Sequence, residues 1–200
     1  MCKKIHFCIT LAFLALSIKP SIAQKKNDQP PIDSATKDYR YEEVVQVKDN
    51  ANKSTLYKRA KSTIIGLFGS QTNIIQNEDT SQGFIIAKVY SNVQTKGLFE
   101  TDIRDAKVLY TLTMQIKDGK YRYVIDNINL KYTYLTYHTE KDPKKGVTGV
   151  TTTSTQVEGS LMKKGSKKFI SEANAAIKDQ IASLEKAMET GNSGNIKKDW

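Results

Sequence analysis

The most chemically suggestive residues of this chain are tyrosines that lie close to lysines in its second half. Amphipathic rings beside cations suit the recognition of a sugar, an anionic glycan or a partner protein. The alternative is that Tyr132 and Tyr134 continue a strand and pack beneath a helix. With that alternative open, the sequence predicts a ligand or partner surface at Tyr132, Tyr134, Tyr137, Lys144 and Lys145.

Candidate catalytic residues are few. His138 lies in a polar stretch, and a Ser-His-Asp relay needs a base packed between its nucleophile and its orienting acid. The adjacent carboxylates Glu42 and Glu43 are of the type that glycosidases use, but successive side chains of a strand point to opposite faces. Zinc usually needs three or four Cys or His ligands, and beyond the first 23 residues the chain has only His138. We therefore expect no catalytic residue, no metal site and no cofactor, and hence no enzyme.

The first 23 residues are typical of an export signal. Two lysines precede the apolar run Ile5–Ile18, and small residues follow at a cleavage site. The run of about 14 residues is too short to span a bilayer, which takes about 20. We expect cleavage between Ala23 and Gln24, a periplasmic or secreted protein, and no transmembrane segment afterwards.

Removal of this signal would change the chemical inventory of the chain. Both cysteines, Cys2 and Cys8, and one of the two histidines lie within it, so the mature chain would have no disulfide and no thiolate. The net charge would fall from +10 to +7, because three lysines leave with the signal. The protein stays basic, but nucleic-acid binding would require that it remain in the cytoplasm.

The remaining chain is expected to form one domain with two tails. Residues 24–38 are polar, contain Pro30 and Pro31, and predict a flexible leader. Residues 39–190 form the predicted domain and residues 191–200 a flexible tail. Within the domain, the Thr-, Lys- and Gly-rich insertion 136–157 predicts a long loop or a loose edge hairpin.

Hydrophobic periodicity predicts an α+β domain with the order strand, helix, four strands, helix (β-α-β-β-β-β-α), in a single antiparallel sheet with the helices packed on one face. The first helix is expected to start at the cap Ser54 and to end with a left-handed Gly69. The second is expected over residues 166–190. The predicted strands are 39–47, 72–76, 84–93, 108–116 and a last one from 120 to about 134, with a polar connection over 95–107.

The dipeptide Asp118-Gly119 gives the strongest local signal, a two-residue hairpin turn. It sets the register of the flanking strands and places their apolar residues on one face. The expected pairs on that face are Ile116–Tyr121, Met114–Tyr123 and Leu112–Ile125, with Lys117–Lys120 at the turn. The expected pairs on the other face are Leu109–Ile128, Thr113–Val124 and Gln115–Arg122.

Several segments carry a resemblance to a known family. They are 41–45 (YEEVV), 54–60 (STLYKRA), 84–88 (FIIAK), 108–112 (VLYTL) and 117–122 (KDGKYR). Over residues 39–134 the chain resembles an exported bacterial family called domain of unknown function 4468. The resemblance implies a TATA-binding-protein-like (TBP-like) fold and supplies no catalytic or binding residue.

Three functions remain open from the sequence. The first is a non-enzymatic binding or scaffolding module of the bacterial periplasm or cell envelope, whose partner is an envelope protein or a glycan. The second is an envelope hydrolase that works through carboxylates or tyrosine. The third, nucleic-acid binding, applies only if the protein is not exported, and we expect no nucleic-acid partner.

Overall fold

The computed structural model describes residues 29–69, 73–93, 102–142 and 144–191. The predicted signal, its cleavage site at Ala23 and Gln24, the start of the leader and residues 192–200 lie outside these ranges.

The described chain forms one six-stranded antiparallel sheet and three helices. The sheet order is β1-β5-β4-β3-β2, and β6 pairs with β5 on the side that β1 also occupies. The elements are β1 (Tyr41–Gln46), α1 (Lys53–Phe68), β2 (Ile75–Asp79), β3 (Phe84–Asn92), β4 (Asp102–Lys117), β5 (Lys120–Asp142), β6 (Gly146–Ser160), α2 (Leu161–Lys164) and α3 (Lys167–Thr190).

All three helices contribute to a single core on one face of the sheet. Leu56 and Ile64 of α1, together with Phe169 and Ile177 of α3, are fully buried against it. The sheet side of this core consists of alternate strand residues, as expected when one face is covered and the other is not. They include Ile85, Val89, Val108, Leu112, Met114, Ile116, Tyr121, Tyr123 and Ile125. The predicted fold class is therefore confirmed, with β6 and α2 as additional elements.

The Asp-Gly turn produces the predicted register near the hairpin end. Leu112 pairs with Ile125, and the pairs closer to the turn also match the prediction. The predicted pair Leu109–Ile128 is wrong, because a β-bulge follows and Leu109 lies opposite Asn129. Asn127 has a positive φ of 50° there. The extra residue moves the buried positions of β5 from odd to even numbers, as in Leu130.

Two helix boundaries differ from the prediction for a local reason. Asn52, rather than Ser54, caps α1, because its side chain accepts a hydrogen bond from the Thr55 amide at 2.9 Å. Gly69 ends α1 in a right-handed conformation, with φ of −62°. At α3 the predicted limits hold: Ser166 caps the start, and Gly191 ends the helix with φ of 67°.

The insertion 136–157 is a hairpin rather than a long loop. β5 continues to Asp142, and β6 returns from Gly146 in antiparallel register. The first residue of β4, Asp102, lies opposite Leu135, so β5 beyond Leu135 pairs with β6 alone. We call residues 136–142 and 146–153 the arm. The polar connection predicted over 95–107 is also shorter than expected, since β4 starts at Asp102.

Candidate functional site

Four of the five residues of the predicted ligand surface have described side chains, and these four do not gather in one place. Tyr132 is half-buried, and its ring centroid lies 5.8 Å from that of Phe169 in α3, so it packs beneath the last helix. Tyr134 is half-buried two residues further along β5. Lys144 and Lys145 are exposed at the far end of the arm, roughly 35 Å of strand away from Tyr132. The Tyr137 side chain lies outside the described part of the chain.

An aromatic and basic group does form elsewhere, on the sheet face that faces away from the helix core. We call it the Tyr90–Lys107 pair: the Lys107 ammonium lies 4.6 Å from the centroid of the Tyr90 ring. This distance is within the range of cation–π attraction. Leu109 lies opposite Tyr90 in the β3–β4 register. These residues line a depression of about 380 Å³, together with Asp105, Lys131, Tyr132, Thr133 and Gln156.

A second depression, of about 240 Å³, lies on the same face near the hairpin turn. Arg122 lines it and donates hydrogen bonds to Glu42, at 2.9 Å from Nε, and to Gln115, at 3.0 Å. Arg40 also pairs with Glu42, at 2.9 Å. The hydrogen bond from Arg122, above all, holds the pKa of Glu42 below its usual value. Val44, 55% exposed, forms the apolar wall of this depression.

Glu43 points to the opposite face from Glu42, as strand alternation predicts. There the Tyr123 hydroxyl lies 3.1 Å from a Glu43 carboxylate oxygen and 3.2 Å from one of Glu185 in α3. The pKa of Tyr123 is raised, chiefly by burial and next by the negative charge of Glu185. The phenol is thus held protonated, as a hydrogen-bond donor.

The remaining candidate groups stand apart from these sites. The His138 side chain lies on the arm, away from both depressions. Among the described residues, no three His, Cys, Asp or Glu side chains are grouped closely enough to hold a metal ion. In the same parts of the chain, no helix is both long and apolar enough to cross a membrane.

Sequence reasoning did not find the Tyr90–Lys107 pair or the Glu43–Tyr123–Glu185 group. Tyr90 and Lys107 are brought together because Asn92 pairs with Lys107 across β3 and β4. The sequence signal that could have found this pair is the alternation of apolar and polar residues along each strand, since Tyr90 and Lys107 both lie at the less buried positions. Glu43 and Glu185 lie 80 and 62 residues from Tyr123 in the sequence. The pairing of β1 with β5 brings Glu43 to Tyr123, and the packing of α3 on the sheet brings Glu185 there.

Comparison with known proteins supports the fold. The crystal structure of a TBP-like protein from Parabacteroides distasonis ATCC 8503 matches with a TM-score of 0.50 and 14% identity, over 82% of this chain and 96% of that chain. The crystal structure of a DUF4468 family protein from Bacteroides ovatus ATCC 8483 matches with a TM-score of 0.51 and 12% identity, over 82% and 94%. No curated protein matches the chain.

A family model matches one part of the chain directly. Residues 41–131 match the model described as "Domain of unknown function (DUF4468) with TBP-like fold". The matched range contains β1 to β4, α1 and the first half of β5. It also contains every motif on which the resemblance in the sequence depends. Residues 41–131 are therefore a domain of the DUF4468 family, with its TBP-like fold.

Proposed function

We propose that this protein is an exported, non-enzymatic binding or scaffolding module of the bacterial periplasm or cell envelope. In this proposal, the sheet face opposite the helices contacts an envelope protein or a glycan. The observation that carries it is the Tyr90–Lys107 pair on that face, with the ammonium 4.6 Å from the ring centroid. A ring and a cation side by side suit a sugar or a partner side chain.

The composition of this face supports a contact surface. Half-buried apolar side chains, among them Phe84, Ile86 and Leu109, alternate along the strands with fully buried core residues. Basic side chains lie between them, including Lys107 and Arg122. Interfaces combine aromatic and apolar residues with arginine and a polar rim in this way. No helix of the described chain packs on this face, since the helices share the core on the other one.

The hydrolase alternative receives less support from the same geometry. Within the described chain, Asp105 is the one carboxylate that lines either open-face depression, so neither contains the pair of acids that glycoside hydrolysis uses. Tyr123 does lie between two carboxylates, but its pKa is raised. A tyrosine nucleophile needs the opposite shift, because the phenolate is the reactive form.

Affinity capture tests the proposed surface. Protein purified from cells that express the full chain would be immobilised and incubated with envelope extract under gentle crosslinking. The partners would be read by mass spectrometry. The variants Tyr90→Ala and Lys107→Ala are expected to lose the captured partner. Lys178→Ala, an exposed lysine on α3, removes the same charge from the helix layer and is expected to retain it.

Two results would contradict the proposal. One is the recovery of no envelope protein or glycan by the unaltered chain. The other is equal capture by Lys107→Ala and Lys178→Ala, which would remove the open face from the interaction. Export has its own test, since the intact mass of protein recovered from the envelope is expected to begin at Gln24. A mass that includes residues 1–23 in a cytoplasmic fraction would instead favour the nucleic-acid alternative.

A further inference from the structure

We propose that Glu43, Tyr123 and Glu185 form a binding site for an alkylammonium group. The site lies on the helix side of the sheet, where α3 passes over β1 and β5. It shares no residue with the Tyr90–Lys107 pair on the open face. Failure of either proposal therefore leaves the other intact.

The hydrogen-bond count at Tyr123 is the first argument. A phenol has one proton to donate, yet carboxylate oxygens of Glu43 and Glu185 lie 3.1 and 3.2 Å from its hydroxyl oxygen. Only one of these two acceptors can be satisfied by Tyr123 at a time. The other carboxylate is left without this donor and can accept one from a ligand.

Local charge is the second argument. Glu189, one helical turn from Glu185 on α3, forms an ion pair with Lys48. Neither Glu43 nor Glu185 has such a pair with any residue that the structure describes. Two carboxylates that share one phenol repel each other, and a cation between them would relieve this repulsion. Such a site is unusual in a chain whose net charge is +10.

A buried and unpartnered hydroxyl is the third argument. Tyr121 lies two residues before Tyr123 on β5, is 1% exposed, and its hydroxyl has no hydrogen-bond partner within the described chain. Burial is the largest cause of the raised pKa of this hydroxyl. The nearby charges of Glu185, Glu43 and Glu189 raise it further. A buried polar group without a partner costs free energy, so this oxygen is available to accept from a ligand.

The number and type of these groups favour an ammonium over a metal ion. Calcium takes about six to eight oxygen ligands, and no three acidic side chains of the described chain are grouped for a metal. An alkylammonium group has three N–H donors. The carboxylates of Glu43 and Glu185 and the hydroxyl oxygen of Tyr121 can each accept one hydrogen bond from it. This group occurs in a free polyamine and in the lysine side chain of a partner protein.

Calorimetric titration of protein purified from cells that express the full chain distinguishes these sources. Spermidine represents the free amine, and an acetylated penta-lysine amide represents the protein side chain. Glu185→Gln and Glu43→Gln keep a hydrogen-bond acceptor and remove one charge. Glu172→Gln makes the same change more than three turns away on α3 and is the matched control. Circular dichroism and thermal unfolding check that each variant folds.

We expect saturable binding of at least one amine, weaker at high salt, and about three- to tenfold weaker in Glu185→Gln and in Glu43→Gln. The control should bind like the unaltered protein. Spermidine binding alone assigns a free amine, and peptide binding alone assigns a protein side chain. The proposal is overturned if neither amine binds, or if the control variant weakens binding as much as Glu185→Gln does. It is also overturned if calcium displaces bound spermidine at a lower concentration than a competing amine does.

Discussion

β5 passes through two different environments along its length. From Lys120 to Leu135 it is paired with β4 on one side, and on the other with β1 over residues 120–125 and with β6 from Asn129. Its core-side residues there are covered by helices. From residue 136 onward it pairs with β6 alone, and Thr152 and Thr153 opposite it are exposed. The backbone pairing is antiparallel in both halves. Burial is what differs, and burial of apolar area dominates stability.

The largest expected effect tests this difference on one strand with one residue type. Leu130 is fully buried in the core, whereas Leu135 is half-buried where the arm begins. Leu130→Ala should lower the free energy of unfolding by about 3–5 kcal/mol, because it leaves a cavity. Leu135→Ala should cost about 1 kcal/mol or less. Urea unfolding of both variants measures the two values, and equal losses would show that the comparison is mistaken.

A buried hydrogen bond beside the first half of β5 gives the next effect. The Tyr41 hydroxyl donates to the Asn174 side-chain oxygen at 2.7 Å, and both residues are buried. Tyr41→Phe leaves that oxygen without its donor and should cost about 1–3 kcal/mol of unfolding free energy.

Tyr134→Phe, close to the arm, is the matched control and should change stability by less than about 0.5 kcal/mol. Thermal unfolding compares the two variants. A smaller loss for Tyr41→Phe than for Tyr134→Phe would contradict the assigned hydrogen bond.

The bulge between the two environments gives a smaller effect. Asn127 has a φ of 50°, a conformation that β-branched residues strongly disfavour. Asn127→Val should therefore cost about 1–2 kcal/mol. Asn127→Gly should be close to neutral, because glycine adopts a positive φ without strain. If the two variants were equally stable, the strain of the bulge would be absent from the folded protein in solution.

The smallest effect concerns Glu42 on the open face and depends on pH. Its folded pKa lies below the ordinary value of 4.5, chiefly because of the hydrogen bond from Arg122. The stabilisation is therefore complete above that ordinary value and is lost as the pH falls through the lower, folded pKa. Glu42→Gln should lower the melting temperature slightly at pH 7 and not at about pH 2 to 3. A difference that grew as the pH fell would reverse the assigned direction.

Local sequence signals are sufficient for part of the architecture. The Asp118-Gly119 turn and alternating apolar residues predict the correct register from Lys117–Lys120 as far as Leu112–Ile125. They fail at Leu109, because periodicity contains no sign of an inserted residue such as Asn127. They leave β6 open between a loop and a hairpin strand, because its run of threonines and glycines lacks the alternation that burial on one face imposes.

The candidate sites are less accessible to such reasoning. The sequence leaves two roles open for Tyr132, a ligand residue or a residue packed beneath the last helix, and the ring of Phe169, 37 positions later in the chain, packs against it. Strand alternation correctly assigns Glu43 to the face opposite Glu42. Its partner Tyr123 lies 80 residues away, and nothing local indicates that contact.

The sequence by itself determined the α+β class, the order of the first elements, the hairpin register near its turn and the match of residues 41–131 to the DUF4468 family. These follow from side-chain periods and turn chemistry, which act over a few residues. The tertiary structure decided which polar groups meet: Lys107 with Tyr90, and Glu43 and Glu185 with Tyr123. Strand pairing and helix docking join distant residues, and the physical cause is the burial of a common core rather than any local preference.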